Sequence, residues 1–320
     1  MIAVIIPAYR VKSHILGVIA GIGPEVNKII VVDDACPEAS GKFVTEHNRD
    51  ERVVVLTHKQ NKGVGGAVKT GYVHALSIGA DICVKVDGDG QMDPNEIPRL
   101  VEPLLRLEAD YTKCNRFFAM DYLKPMPKIR LFGNAGLSFI NKAANGYWNI
   151  MDPTNGFTAI RKEALSQLPL DKIADRYFFE SDMLFRLSTV RAVVKDVPLA
   201  ARYDDETSSL SVTKVLFSFP PKLFSRFLKR IFYNYFLRDF NVGSVELIIG
   251  MLLLLIGGGI GAYHWYLSVT YNILASSGTV MLSALPVIIG FQSLIAAIHF
   301  DVNNLPVHPI ASISYSKPAG

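Results

Sequence analysis

The stretch Val84-Lys-Val-Asp87-Gly88-Asp89-Gly-Gln91-Met-Asp93-Pro sets two carboxylates one residue apart at the end of an apolar run. Hard oxygen donors in that arrangement suit a divalent cation, and a cation held there would neutralise a diphosphate. An isolated Asp-x-Asp also serves as a simple turn cap, so the apolar run before it and Gln91 behind it are what strengthen the metal reading. A second pair, Asp33-Asp34, ends the run Ile29–Val32. Adjacent side chains in extended chain point to opposite sides, so only one of these two should face a ligand, where a base or a ribose hydroxyl is a suitable partner. A third element, Asn61-Lys62-Gly63-Val-Gly65-Gly66, is a glycine-rich turn into a helix, where backbone can approach a ligand and a helix N-terminus favours anions. The same glycines would equally serve a tight strand-to-helix turn. A Walker loop is excluded because the Gly-Lys-Ser/Thr ending is absent.

A fourth element is Asp152-Pro-Thr-Asn155-Gly156-Phe157. Proline forces Asp152 out of the helical region and Asn-Gly favours a turn, so this is a fixed loop. Asp152 either caps that turn or orients a substrate near the reacting carbon, with general-base action a weaker variant.

These residues need elements to place them. The first 120 residues alternate short β-branched runs with helix-like stretches, the pattern of βα units around a largely parallel sheet. Strands are expected at Ala3–Ile6, Ile29–Val32, Val53–Leu56 and Ile82–Val86, and helices at Lys12–Ile22, Gly41–His47 and Gly65–Ile78. Further helices are expected at Leu131–Ala144, from Glu163 and over Glu180–Thr189. Ligands in open α/β sheets sit beyond the carboxyl ends of strands, so Pro7-Ala8-Tyr9, Asp33-Asp34 and Asp87-Gly-Asp89 should converge.

The second half is different in kind. Hydrophobic residues make up 50% of the chain and charged ones 19%, and from Leu247 to Phe300 there is no Asp, Glu, Lys or Arg. Two spans, about Val245–Tyr266 and Thr279–Phe300, are each near the roughly 20 residues that cross a bilayer. Before them, Leu223, Phe224, Phe227, Leu228, Ile231, Phe232, Tyr235 and Phe236 form one helical stripe, with Lys222, Arg226, Lys229 and Arg230 on the other side. Such a helix is expected in the membrane interface with its cations near lipid phosphates, the alternative being a helix packed on the globular body. Five Lys and Arg between Lys222 and Arg238, and none in the connector between the spans, place both ends of the hairpin in the cytosol.

The N-terminal run Met1–Pro7 lacks a basic region and a cleavage site, so the first domain is expected to stay cytosolic. Cys36, Cys83 and Cys114 are an odd number without metal-type spacing, which fits a reducing compartment. A net charge of +4 with no recognition motif gives no support for nucleic-acid binding.

Taken in order, Val4-Ile-Ile-Pro7-Ala-Tyr9, Val32-Asp33-Asp34, Asn61-Lys-Gly63-Val-Gly65, Asp87-Gly-Asp89-Gly-Gln91, Asn115-Arg116, Asp152-Pro-Thr-Asn-Gly156-Phe157 and Glu180-Ser-Asp182-Met resemble glycosyltransferase family 2, of GT-A fold. Within it they are similar to the dolichol-phosphate mannosyltransferase and undecaprenyl-phosphate glycosyltransferase group. The resemblance implies a GT-A domain over 1–212, an amphipathic juxtamembrane region over 213–242, a two-helix transmembrane hairpin over 243–302 and a cytosolic tail over 303–320. It implies that Pro7, Ala8, Tyr9, Asp34, Lys62, Gly63, Asp87, Gly88, Asp89, Arg116 and Arg202 bind the donor. Asp87, Asp89 and Gln91 would hold Mg²⁺ or Mn²⁺, and Asp89 and Asp152 would serve catalysis.

The implied reaction moves a hexosyl group, with inversion, from a UDP- or GDP-hexose to a polyprenyl phosphate at the cytosolic membrane face. That places the protein in cell-envelope polysaccharide synthesis and makes a homo-oligomer the expectation. Three departures bear on donor choice: Arg10-Val11 stand for the usual Asn-Glu, Ala35-Cys36 for Gly-Ser, and Ser208-Ser209 for Ser-Lys. A transferase that extends a glycan directly is the nearest alternative, although its Gln-x-x-Arg-Trp motif is absent from the sequence. An inactive scaffold of the same fold is the other, and the intact Asp87, Asp89 and Gln91 argue against it.

Overall fold

The computed structural model describes residues 1–116, 118, 128–199 and 212–315. Arg202, Ser208 and Ser209 lie outside these residues. The chain forms two compact units, Met1–Arg230 together with Pro306–Gly320, and Ile231–Leu305. The juxtamembrane region expected at 213–242 is thus divided between them.

The first unit is built on a seven-stranded sheet: β1 (Ile2–Ala8), β2 (Lys28–Asp33), β3 (Val53–Thr57), β4 (Ile82–Lys85), β5 (Tyr111–Asn115), β6 (Thr158–Arg161) and β7 (Val194–Pro198). Their order is β3-β2-β1-β4-β6-β5-β7, and β6 alone runs antiparallel to its neighbours. β1 and β2 are apolar and almost wholly buried, as strands covered on both faces must be. The intervening helices are α1 (Ile15–Ala20), α2 (Ser40–His47), α3 (Val64–Ser77) and α4 (Ile97–Leu105). α1 is shorter than the expected Lys12–Ile22. Then come α5 (Lys128–Asn145), α6 (Lys162–Leu165), α7 (Phe179–Thr189) and α8 (Val212–Phe232).

The first four strands and the helices α2 and α3 stand where the apolar pattern puts them, while β5, β6, β7 and α4 carry no expectation from the sequence. The reason is visible in their register. Lys85 of β4 pairs with Thr158 of β6, Thr158 with Lys113 of β5, and Lys113 with Asp196 of β7. In-register neighbours share a sheet face, so four polar side chains form one row. Lys85 and Lys113 are fully buried in it.

Past the second unit the chain re-enters the first through α11 (Ile310–Tyr315). Asp110, with 0% exposure, accepts N–H bonds from Val193, Ile310 and Ala311. Burial raises its carboxyl above the usual range.

The second unit is dominated by α9 (Val242–Tyr271) and α10 (Ser277–Asn303), both long and apolar enough to cross a membrane. Small residues let them approach closely: a Cβ at Gly250 would meet Gly290 O at 3.0 Å, and Ser283 Oγ donates to Gly257 O at 2.9 Å. Asn241 and Ser244 form a capping box at the start of α9. Beside it, Tyr235 in the π-helical turn Tyr233–Arg238 donates to Asp301 Oδ1 at 2.6 Å.

α8 corrects one expectation. Arg226 and Arg230 do not reach outward with Lys222 and Lys229. Arg226 Nε donates to Asp182 Oδ1 at 2.6 Å, and Arg230, 2% exposed, donates to Ala143 O at the end of α5. Phe219 and Leu223 bury against Phe178 and Ala144. Of the apolar stripe, Phe224, Leu228 and Phe232, one turn apart, are exposed. A buried guanidinium needs a fixed acceptor, and α7 and α5 supply one each.

Candidate active site

The candidate residues gather at the carboxyl ends of β2, β1 and β4 and the amino end of β6, which lie side by side. At β2 the two aspartates divide the work. Asp33 accepts Cys36 N at 2.7 Å and Gly41 N at 2.6 Å, fixing the turn into α2. Asp34 accepts Lys62 N (2.8 Å) and Gly63 N (2.7 Å) and meets His58 Nδ1 at 2.7 Å, so it holds the glycine turn. His58 is a partner that nothing in the local sequence pattern signals. Gly63 has φ of 91°, a conformation only glycine adopts without strain. At β1, Ala8 is buried and Tyr9 is 43% exposed, with the Arg10 guanidinium 5.6 Å from its ring centroid. Arg10 N donates to Cys36 Sγ at 3.1 Å, so two of the departures from the family pattern touch each other.

At β4, Asp89 Oδ1 accepts Gln91 N at 3.1 Å, and Gln91 is exposed. Asp87 Oδ1 lies 2.9 Å from Lys85 Nζ, which also lies 3.2 Å from Glu180 Oε1 of α7. Burial opposes the charge on Lys85, but the carboxylates of Asp87 and Glu180 more than offset it and push its pKa above the ordinary lysine range. The Asp152 loop comes in beside this pair. A Cβ at Gly156 would sit 2.8 Å from Asp87 Oδ2, so a side chain there would displace the Asp87 carboxylate.

Lys113 Nζ, its pKa lowered to about 8 by burial, donates to Asn155 O and supports the same loop from beneath. Asp152 is fully buried. Its carboxylate accepts from Arg116, Nε to Oδ2 at 2.7 Å and Nη2 to Oδ1 at 3.3 Å, and from Asn155 Nδ2 at 3.3 Å. The structure therefore brings together Asp87, Asp152 and Arg116 on one side, and Asp34, Lys62 and Gly63 on the other. Lys85, Lys113 and Glu180 are the charged residues that sequence reasoning missed as site components; a lysine inside an apolar strand two residues before a carboxylate was the available signal.

The donor set fits a divalent cation. Asp87 Oδ1 is a buried carboxylate oxygen held 2.9 Å from the Lys85 ammonium, and Asp89 stands one residue beyond it in the same turn. Among the described residues no group of three or more His, Cys, Asp or Glu is assembled as a cage. Two carboxylates with the remaining positions left to phosphate and water is how Mg²⁺ is usually held.

The sequence profile described as Glycosyl transferase family 2 matches residues 3–168. The chain belongs to this family. As a family 2 glycosyltransferase it is 33% identical over 242 residues to the UDP-N-acetylglucosamine–dolichyl-phosphate N-acetylglucosaminyltransferase of Methanococcus voltae, a match covering 71% of this chain and 95% of that protein. It is 30% identical over 200 residues to the undecaprenyl-phosphate mannosyltransferase of Micrococcus luteus, covering 61% of this chain and 81% of that one.

Among solved structures, glucosyl-3-phosphoglycerate synthase from Mycobacterium tuberculosis, in complex with UDP, superposes with a TM-score of 0.53 at 20% identity over 72% of this chain and 79% of that one. Mannosyl-3-phosphoglycerate synthase from Rubrobacter xylanophilus gives 0.55 at 15% identity over 75% and 77%. These two establish the GT-A fold for this family 2 glycosyltransferase. The Mycobacterium synthase has also been crystallised with Mn²⁺ and UDP-glucose.

Proposed function

We propose that the protein transfers a hexosyl group from a nucleoside diphosphate sugar to the phosphate of a polyprenol, with inversion at the anomeric carbon. The observation that carries this reading is the shared acceptor class of the relatives: dolichyl phosphate in the Methanococcus protein and undecaprenyl phosphate in the Micrococcus protein, each matched over most of its length. The two apolar helices suit an enzyme whose acceptor lives in a bilayer.

Asp87 and Asp89, with Gln91 beside them, would hold Mg²⁺ or Mn²⁺, which would supply charge neutralisation at the leaving diphosphate. Asp34, Lys62 and Gly63, with Pro7, Ala8, Tyr9 and Gly88, form the nucleotide side of the site. Arg116, aimed by Asp152, offers a bidentate guanidinium to phosphate. Arg202 is kept as a further phosphate contact on the strength of the resemblance alone. The acceptor phosphate is already an anion at neutral pH, so the protein's task is to align its oxygen behind the anomeric carbon and exclude water.

Incubating the purified full-length protein with a panel of UDP- and GDP-hexoses and a polyprenyl phosphate, followed by mass spectrometry of the lipid fraction, tests the proposal. A glycosylphosphoryl polyprenol is the expected product. Transfer to free glycans with none to the lipid would point to direct glycan extension instead.

Residues on both sides of the hairpin, Met1–Arg230 and Pro306 onward, make one compact unit. This supports two crossings with both flanks on one side, and the basic segment before α9 supports the cytosolic side. On this reading Phe224, Leu228 and Phe232 enter the lipid interface. With Phe224→Cys spin-labelled in bilayer discs, the label should be more accessible to dissolved oxygen than to a water-soluble nickel chelate, whereas a label at Lys229 should show a lower ratio. The native cysteines, Cys36, Cys83 and Cys114, are buried, so the label would report only the introduced site. Equal water exposure at both positions would remove α8 from the interface.

A further inference from the structure

The turn Glu180-Ser181-Asp182 that opens α7 is tied to three different elements. Glu180 reaches Lys85 in the sheet, Ser181 Oγ accepts Asn141 Nδ2 of α5 at 3.1 Å, and Asp182 has 0% exposure with both oxygens engaged. Asp182 Oδ2 accepts Ala174 N at 2.9 Å, and Oδ1 accepts Arg226 Nε of α8 at 2.6 Å. The Arg226 guanidinium also lies 5.3 Å from the ring centroid of Phe185, so α7 grips it at two points.

Ala174 belongs to a segment that presses on the glycine turn. Asp175 O accepts Gly66 N at 3.0 Å, a Cβ at Gly63 would sit 2.7 Å from Asp175 O, and one at Gly65 would collide with Ala174 O. Lys69 of α3 closes the contact, donating to Ile173 O at 2.8 Å and pairing with Asp175 Oδ1 at 2.6 Å. The other side of the turn is Asp34, which accepts Lys62 N and Gly63 N. The turn is therefore gripped between Asp34 and residues 173–175. The second jaw hangs from Asp182, and Asp182 is held by α8.

We infer that Asp182 is a positioning residue for donor binding, through which Arg226 of α8 fixes the glycine turn against Asp34. The inference rests on the reading that this turn and Asp34 hold the donor nucleotide. A buried carboxylate with two directional donors has little freedom, and losing either donor leaves an oxygen without a partner. The segment at Ala174 then relaxes, and the turn follows it. Nothing in this chain of contacts touches the reacting atoms, so it should act on donor affinity and leave the chemical step alone.

The test is calorimetric titration of full-length protein in detergent with UDP and with GDP in the presence of Mg²⁺. Wild-type protein that binds neither nucleotide would overturn the donor-site reading and this inference with it. Given wild-type binding, Asp182→Asn should raise the nucleotide Kd about tenfold and Arg226→Met about threefold or more, with Arg226→Lys closer to wild type. Donor KM should rise in parallel while kcat at saturating donor stays within about threefold. Amide hydrogen exchange should quicken at residues 61–66 and 173–175 in both variants. A merely structural role would lower the thermal midpoint and leave the Kd of the folded protein unchanged. Unchanged Kd in Arg226→Met, whose side chain is 20% exposed, would overturn the inference whatever Asp182→Asn does.

Discussion

Asp89→Ala is expected to lower kcat about 10³-fold or more while the protein stays folded. Only two carboxylates end β4, and Asp87 already shares its charge with Lys85 at 2.9 Å. Removing Asp89 therefore takes away the carboxylate that Lys85 does not offset. With one of its proposed ligands gone, a cation screening the leaving diphosphate would be held weakly, and several kcal/mol of charge stabilisation would go with it. Each 1.36 kcal/mol is a factor of ten in rate, which is why a loss of about three decades is the expected scale. Asp89 is half-buried in a turn outside the sheet, where its Oδ1 accepts Gln91 N, so its removal should leave the far-ultraviolet circular dichroism unchanged. The measurement pairs turnover with electron paramagnetic resonance of Mn²⁺ binding. Normal turnover by the wild-type enzyme in excess chelator would end the metal reading altogether.

Asp152→Asn is the second large effect, with a loss of about 10²-fold in kcat and donor affinity largely kept. The carboxylate is fully buried and its main partner, Arg116, is 32% exposed, so the pair points from the interior toward the site. The amide keeps the size and one acceptor oxygen but not the charge that holds the guanidinium in place. Arg116 would then be aimed less firmly, and its contribution would be lost most where negative charge develops on phosphate. A turn cap, by contrast, would tolerate the amide: Asn155 Nδ2 could still donate to the remaining oxygen. Steady-state kinetics with separate donor titration distinguishes the two. Turnover near the wild-type value would leave Asp152 a purely structural role in its loop.

The contrast between strands explains what could be read in advance. Ile29–Val32 is a run of β-branched residues, and such a run is a strand wherever it is placed; β2 follows from it almost directly. Tyr111–Asn115 is Tyr-Thr-Lys-Cys-Asn and Val194–Pro198 is Val-Lys-Asp-Val-Pro, and neither alternates in a way that marks a buried strand. They are strands because their neighbours make them so, and their polar residues are there because the Asp152 loop needs Lys113 beneath it. The same holds for the charges on α8. Its apolar stripe is evident from spacing, but which cations turn away from the globular unit depends on Asp182, 44 residues away, and Ala143 O, 87 residues away. Strand-end carboxylates are legible because they are local; Lys85 with Glu180 and His58 with Asp34 are pairings that only the folded chain creates.

The docking of α11 on Asp110 has a consequence for the order of events at the ribosome. Two of the three N–H groups that Asp110 receives come from residues 200 and 201 positions later. At about 5–20 residues per second, those partners are made roughly 10–40 seconds after Asp110 itself. Both apolar helices are synthesised within that interval. The carboxylate must stay hydrated, and this edge of the sheet unsealed, until the hairpin has already emerged. If the two apolar helices enter a bilayer as they emerge, insertion would precede the last step of folding, and the globular unit would be completed at the membrane.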